Sequence, residues 1–303
     1  MKFFSWLSLF LALHLGPSLW GQSVAITLDD APNLDTTPLL TGEARNQRLL
    51  EAFQEKGLRV ALFANGIRGG ESPDGLRWLE AWGRAGHLIG NHTFSHKGFQ
   101  EIGAEAFKAD LQKLDPILRP LPGFWPRLRF PFLQEGRTPE ERSAARKLLA
   151  NSGYTSAPVS IPSYDWIYNE RLHILLKAKP DADTTVLRTL YLQHLARMLD
   201  GYRALGRELL KREVPHTLLL HHNLLNALMM PDILRMLEQN GWKVIDPAAA
   251  YRDPFYSEDL GSAGYSESLL GAIARGKGVF LDKVRALEAQ QDEEIRLIKE
   301  FLP

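Results

Sequence analysis

Short apolar runs alternate along the chain with longer stretches whose apolar residues recur at helical spacing. The first run, at residues 24–32, reads Val-Ala-Ile-Thr-Leu-Asp-Asp-Ala-Pro and predicts a buried strand that ends in a turn. Further predicted strands lie at residues 60–64, 87–90, 127–132, 154–160, 217–220 and 242–245. Predicted helices lie between them at residues 43–56, 74–85, 104–118, 138–152, 183–212 and 231–240. This alternation predicts a parallel sheet or barrel whose functional groups gather at the carboxyl ends of the strands.

The two ends of the chain lack this alternation. Residues 1–21 carry one early Lys and then a short apolar run, which is typical of a signal peptide, with an uncleaved membrane anchor as the alternative. Residues 251–303 read as a loop followed by a helical extension of mixed charge. We therefore predict a barrel at residues 22–250, no transmembrane body beyond a possible N-terminal anchor, and export to the periplasm or the extracellular space.

Composition narrows the chemistry. The 303 residues contain 36 Lys plus Arg and 36 Asp plus Glu, so the formal net charge is zero and no basic surface for nucleic acid is expected. The chain has no Cys, which excludes disulfides and thiolate metal sites. Any metal site must therefore use histidine and carboxylate ligands.

Two adjacent carboxylates end the first predicted strand. Because neighbouring side chains at a strand end diverge, one of Asp29 and Asp30 can bind a metal while the other acts as a base. A solvated turn capped by Asp is the alternative. His92 and His96 are four residues apart, so on a helical turn both imidazoles would face one metal ion. Two histidines and a carboxylate with open positions have the form of a catalytic zinc site.

Five ordered motifs resemble those of the polysaccharide deacetylase family, also called the NodB homology domain or carbohydrate esterase family 4. They lie at residues 27–32, 92–96, 129–132, 165–166 and 219–221. The phrase Leu-His-His-Asn-Leu-Leu-Asn at residues 220–226 further resembles an exported bacterial subgroup. The resemblance implies a distorted (β/α)7 barrel and a divalent metal, usually zinc. Imidazole and carboxylate ligands also tolerate Co²⁺, Ni²⁺ or Fe²⁺.

The resemblance assigns a role to each residue of the first three motifs. Asp30, His92 and His96 would bind the metal, and Asp29 would be the base that deprotonates the attacking water. Arg129 would keep Asp29 ionised and oriented, since a nearby cation favours a charged carboxylate. The first motif usually has Gly where this chain has an alanine at position 31, a change that would tighten the turn beside the metal.

The later motifs supply the remaining groups. The backbone N–H of Phe132 would stabilise the tetrahedral oxyanion, His221 would protonate the departing amine, and Trp166 would wall the acetyl pocket. Many members carry an earlier Asp that pairs with the acid histidine, and this chain has Pro162 there. Asp165 is kept. Without the earlier Asp, the orientation of His221 would fall to another carboxylate or be weaker.

Other residues have competing interpretations. Arg127 is the second candidate for the arginine that pairs with the base, because it would share a strand face with Arg129. We expect His87 to lie in the core and His222 to point away from the site. Three tryptophans could stack on sugars or pack in the core, and core packing is favoured. They are Trp78, Trp82 and Trp125.

The resemblance predicts a metal-dependent hydrolase that removes acetyl groups, chiefly N-acetyl, from a glycan such as peptidoglycan or an exopolysaccharide. An acetylated glycan is the expected partner. One alternative is an amidohydrolase that acts on a small non-carbohydrate substrate with a C–N bond. Another is a glycan-binding protein of the same fold with weak or no turnover, which the proline at position 162 motivates.

Overall fold

The computed structural model describes residues 22–257 and 268–278, together with Glu293 and Arg296. The predicted signal peptide or anchor at residues 1–21 and most of the predicted C-terminal extension lie outside the described residues. In the part that is described, no helix has the length and apolar character needed to cross a membrane.

One parallel sheet forms the centre of the molecule. Its strand order is β5-β4-β3-β2-β1-β7-β6, and β8 pairs with the start of β1. Strand β1 therefore lies in the middle of the sheet, and its apolar residues are buried. The strands are β1 Ser23–Ala31, β2 Ala61–Ala64, β3 Leu88–Asn91, β4 Phe124–Leu128, β5 Thr155–Ser156, β6 Ile161–Pro162, β7 His216–His221 and β8 Lys243–Val244.

The connection between β5 and β6 shows that the sheet curls. These strands stand at opposite ends of the strand order, yet residues 157–160 join them directly. A link of this length spans at most about 17 Å. Seven strands in a flat sheet would place the outer two about 29 Å apart, at about 4.8 Å per strand. The sheet ends therefore approach each other, which confirms the predicted distorted (β/α)7 barrel.

Helices surround this sheet, and several begin at a side-chain cap. The hydroxyls of Thr41, Ser72 and Thr138 each accept a backbone N–H from the first turn of the helix that follows. These caps explain why the predicted starts at residues 43, 74 and 138 are close to the observed ones. The described helices are α1 Gly42–Glu55, α2 Pro73–Arg84, α3 Phe99–Leu118, α4 Pro139–Asn151, α5 Asp165–Ala178, α6 Thr185–Leu210, α7 Leu224–Gln239, α8 Pro247–Ala250 and α9 Leu269–Gly276.

Proline explains two errors in the predicted elements. The strand predicted at 127–132 ends at Leu128, because Pro131 has no N–H to pair and instead begins a short turn at Pro131–Leu133. The helix predicted at 231–240 begins at Leu224, with Pro231 inside it rather than at its start.

Two further elements also differ from the sequence prediction. The strand predicted at 154–160 is only β5, two residues long, because the chain then crosses from one end of the sheet to the other. Helix α5 was not predicted, although its buried Tyr168, Leu172 and Leu176 recur at helical spacing.

Helix α9 covers the gap between the sheet ends. The backbone N–H of Leu269 donates to the carbonyl of Val159, in the link between β5 and β6, over 2.6 Å. Leu270 and Ile273 are fully or almost fully buried, so this part of the predicted C-terminal extension belongs to the core. The tryptophan prediction is confirmed for Trp78 and Trp82, which are both buried.

Candidate active site

Strand ends bring the candidate residues to one edge of the sheet. Asp29 of β1 is the register partner of His221 in β7, and His92 directly follows β3. Because parallel strands share one carboxyl edge, residues from distant parts of the chain meet here. The site therefore forms where the alternating pattern predicted it.

Asp30, His92 and His96 form a cluster that can hold a metal ion, because one ligand atom from each lies within 4.8 Å of the others. The Asp30 carboxylate oxygen Oδ1 is 3.5 Å from Nε2 of His96 and 4.0 Å from Nε2 of His92. Ligands of tetrahedral zinc lie about 3.3 Å apart. A small contraction therefore fits these donors to a divalent metal.

The two histidines do not lie on a helix, so the helical turn considered for their spacing is not what brings them together. They occupy a loop in which Thr93 and His96 have positive φ angles of 61° and 55°. These turns nevertheless bring the two rings to a centroid distance of 4.7 Å. The spacing of four residues identified the pair, although the backbone that joins them is not helical.

Neighbouring groups orient the metal-site side chains. Nδ1 of His92 lies 2.7 Å from the carbonyl oxygen of Arg129, and donation there leaves the Nε2 lone pair free for a cation. The Asn65 amide donates to Oδ1 of Asp30 over 2.7 Å, and Arg68 lies 3.8 Å from Oδ2. Asn65 was not predicted as a site residue, although a polar residue at the end of buried β2 was a usable signal.

The electrostatics of this cluster suit a cation. Burial lowers the pKa of His92 to about 4. Burial and the neighbouring His92 lower the pKa of His96 to about 4 as well. Both imidazoles are therefore neutral near pH 7 and can act as ligands. Burial disfavours the charge on Asp30, but His221 and the two cluster histidines outweigh it and hold its pKa below the usual value.

The Asp29 carboxylate lies between this cluster and a buried arginine, and its Oδ2 is 3.8 Å from Nε2 of His92. Nη1 of Arg129 lies 3.1 Å and 3.2 Å from the two carboxylate oxygens of Asp29. Burial raises the pKa of Asp29 to about 6, and the positive charge of Arg129 limits the rise. Arg127 instead donates to backbone carbonyls of Ser156 and Tyr251, so the second candidate for the partner of Asp29 is wrong.

His221 is paired with Asp165 on the other side of the site. Nδ1 of His221 lies 2.6 Å from Oδ1 of Asp165, whose second oxygen accepts the His221 backbone N–H over 2.8 Å. Burial opposes the charge on His221, but the Asp165 carboxylate raises the pKa of His221 to about 9. Asp165 therefore orients His221, which answers the question that Pro162 left open.

A groove of about 170 Å³ runs beside these groups and is lined by Asp30, His221 and Trp166, among others. Trp166 and Phe132 are each 54% exposed, and the Phe132 ring lies 4.7 Å from that of His96. The His222 side chain is buried, and its Nε2 lies 3.3 Å from Oδ1 of Asn46.

The fold and the site define a curled (β/α)7 barrel with a candidate Asp-His-His metal site at its strand ends. Residues 19–155 match the family model described as polysaccharide deacetylase. This match agrees with the resemblance that the five sequence motifs predicted.

Two curated proteins are similar to part of the chain. A peptidoglycan-N-acetylglucosamine deacetylase of Bacillus cereus is 27% identical over 124 residues, which cover 41% of this chain and 40% of that protein. A chitin deacetylase of Arthroderma benhamiae is 28% identical over 99 residues, which cover 33% of this chain and 24% of that protein. The chain thus spans less than half the length of either relative.

Solved structures share the fold. A peptidoglycan N-acetylglucosamine deacetylase superposes with a TM-score of 0.52 at 16% identity, over 78% of this chain and 91% of that chain. A carbohydrate esterase family 4 pseudoenzyme from Bacillus anthracis superposes with a TM-score of 0.53 at 15% identity, over 76% of this chain and 65% of that chain. At these identities the likeness concerns the fold alone.

Proposed function

We propose that the protein is a metal-dependent hydrolase that removes N-acetyl groups from a glycan such as peptidoglycan or an exopolysaccharide. The observation that carries the proposal is the meeting of three metal-type donors with a buried Asp-Arg pair and an Asp-His pair at one sheet edge. The family-model match over residues 19–155 and the names of the two curated relatives support a glycan as the substrate. Export remains part of the proposal and depends on the apolar run at residues 1–21.

Asp30, His92 and His96 would hold a divalent metal, with zinc expected for imidazole and carboxylate ligands. The bound ion supplies Lewis acidity that polarises the acyl carbonyl and makes water more acidic. Asp29 accepts a proton from the attacking water, while Arg129 fixes the direction of its carboxylate. Asp29 lies 3.8 Å from the metal-side His92, so the proposed base is next to the proposed metal site.

His221 is the proposed acid. Attack of water forms the new C–O bond, and the C–N bond breaks when His221 delivers a proton to the departing nitrogen, which leaves acetate and a free amine. The Asp165 carboxylate keeps this imidazole protonated near neutral pH. The backbone N–H of Phe132 is the proposed donor to the oxyanion, and the exposed Trp166 ring is the proposed wall of the acetyl pocket.

The alternatives differ in what they require of these groups. A glycan-binding protein without turnover has no use for a paired acid, and the short His221–Asp165 contact counts against it. An amidohydrolase for a small C–N substrate would use the same groups, so only a choice of substrates separates it from a glycan deacetylase.

Acetate release tests the proposal. Wild type, Asp29→Asn and His92→Ala would be loaded with zinc and incubated with chito-oligosaccharides and with purified peptidoglycan. We expect release by wild type from at least one glycan and loss of release in both variants. Absence of release from either glycan by a wild type that binds the metal would contradict the proposal and favour the small-substrate or binding alternatives.

A further inference from the structure

The Asp165 carboxylate accepts four hydrogen bonds although it is completely buried. Two come from the ring and the backbone of His221, and the other two from the side-chain amides of Asn223 and Asn226. Burial would raise the pKa of Asp165, but His221 and these donors hold it below the usual value. The two asparagines lie just after β7, outside the groups to which the proposed reaction assigns a step.

Asn226 joins both partners of the pair. One amide hydrogen of Asn226 reaches Oδ2 of Asp165, and the other donates to the backbone carbonyl of His221 over 2.9 Å. Asn226 is fully buried in the first turn of α7. A single amide group therefore fixes the distance between the carboxylate and the strand end that carries the imidazole.

Tyr191 fixes the orientation of that amide. Its hydroxyl, on the buried face of α6, donates to Oδ1 of Asn226 over 2.8 Å. If the amide were flipped, its oxygen would face the Asp165 carboxylate and the two acceptors would repel each other. The tyrosine therefore reinforces the only orientation that presents the amide hydrogens to Asp165.

We propose that Asn226, oriented by Tyr191, is a positioning residue that holds Asp165 against Nδ1 of His221 and so aims Nε2 at the departing nitrogen. This inference rests on the proposed function, because it assigns His221 the role of acid. It extends the proton-delivery apparatus into α6 and α7, two helices that contribute no reacting group.

The test compares two leaving groups. An N-acetyl glycan needs a proton on its departing nitrogen, whereas 4-nitrophenyl acetate releases an anion that needs none. We expect Asn226→Ala to lower kcat for the glycan by roughly 30-fold to 100-fold and Tyr191→Phe to lower it by about 3-fold to 10-fold. Both effects should be no larger than the lower limit for loss of a general acid, about 10²-fold, because His221 itself remains. Hydrolysis of the ester should change by less than about 3-fold in both variants, because the acid takes no part in it.

Tyr168→Phe is the matched control. Tyr168 is also fully buried, and its ring lies 5.2 Å from that of Tyr191, so its variant reports the effect of removing a nearby hydroxyl. We expect this variant to hydrolyse both substrates at the wild-type rate. Because Tyr191→Phe keeps its ring, it remains informative if Asn226→Ala fails to fold.

Each other result has a separate meaning. Equal losses on the glycan and the ester, or no loss on either, would overturn the positioning role and leave the deacetylase proposal intact. If the metal-loaded wild type hydrolyses the ester but no acetylated glycan, the proposed function is wrong and the inference falls with it.

Discussion

The candidate site uses histidine in two opposite ways. His92 and His96 have pKa values lowered to about 4, whereas the pKa of His221 is raised to about 9. All three are largely buried, so burial alone does not separate them. The difference comes from the partners, since His92 donates to a neutral backbone carbonyl and His221 to the ionised Asp165.

The groups around a histidine, and not the residue type itself, therefore decide whether it is neutral or protonated near pH 7. A neutral imidazole offers a lone pair to a metal ion, and a protonated imidazole offers a proton to a leaving group. Under the proposed function, the metal-side pair His92 and His96 and the acid-side His221 would serve different steps at the same pH. If this division holds, metal binding and proton delivery can be removed separately.

Removal of a metal-side histidine should have the largest effect. We expect His92→Ala to lose bound zinc and to lower activity by roughly 10³-fold or more, since the ion supplies several kcal/mol of transition-state stabilisation. Metal content after dialysis and acetate release measure both effects. His173→Ala is the control, because this histidine lines the same groove outside the metal cluster and should leave zinc content unchanged. Full zinc content in His92→Ala would contradict the ligand assignment.

Removal of the acid-side histidine should separate activity from metal binding. His221→Gln should lower kcat on an N-acetyl glycan by about 10²-fold to 10⁴-fold, because proton delivery to the leaving nitrogen is lost. Zinc content should stay at the wild-type value. Loss of the metal as well would show that the metal-side histidines and His221 act as one unit, which would contradict their separate roles.

The pH profile should reveal the partner of the acid. Because His221 acts in its protonated form and its folded pKa is raised to about 9, activity should persist near neutral pH and fall as the pH rises through that value. Asp165→Asn removes the charge that favours the imidazolium, so this fall should move to lower pH. The ratio of mutant to wild-type kcat/KM should therefore be smaller at pH 8 than at pH 6. An unchanged alkaline limb would show that another group controls it.

Change at the groove wall should have the smallest effect. Trp166→Ala should raise KM a few-fold with little change in kcat, and the free energy of unfolding should change by less than about 0.5 kcal/mol, because the ring is 54% exposed. Ile174→Ala, at an exposed apolar position on the same helix, should leave KM and kcat unchanged. A large fall in kcat for Trp166→Ala would give the ring a role in the reaction itself.

Sequence reasoning located the site better than the backbone that builds it. Asp29 and Asp30 could be placed because a buried strand has a regular period and a clear end. The conformation of the loop that carries His92 and His96 could not be predicted, because its positive φ angles depend on tertiary contacts that local spacing does not encode. Asn65 and Asn226 were missed because their function depends on partners 35 and 61 positions away in the chain.

The central place of β1 has a consequence for how the chain acquires its structure. The Thr27 hydroxyl of β1 donates to the Leu218 carbonyl of β7, 191 positions later, so β1 is synthesised long before the strand that pairs with it. Until then one edge of a long apolar strand is open, a condition that favours aggregation. The family match ends at residue 155, before β7, so its end is not a folding boundary. His221 is the final residue of β7, so the strand that closes this edge also carries the proposed acid.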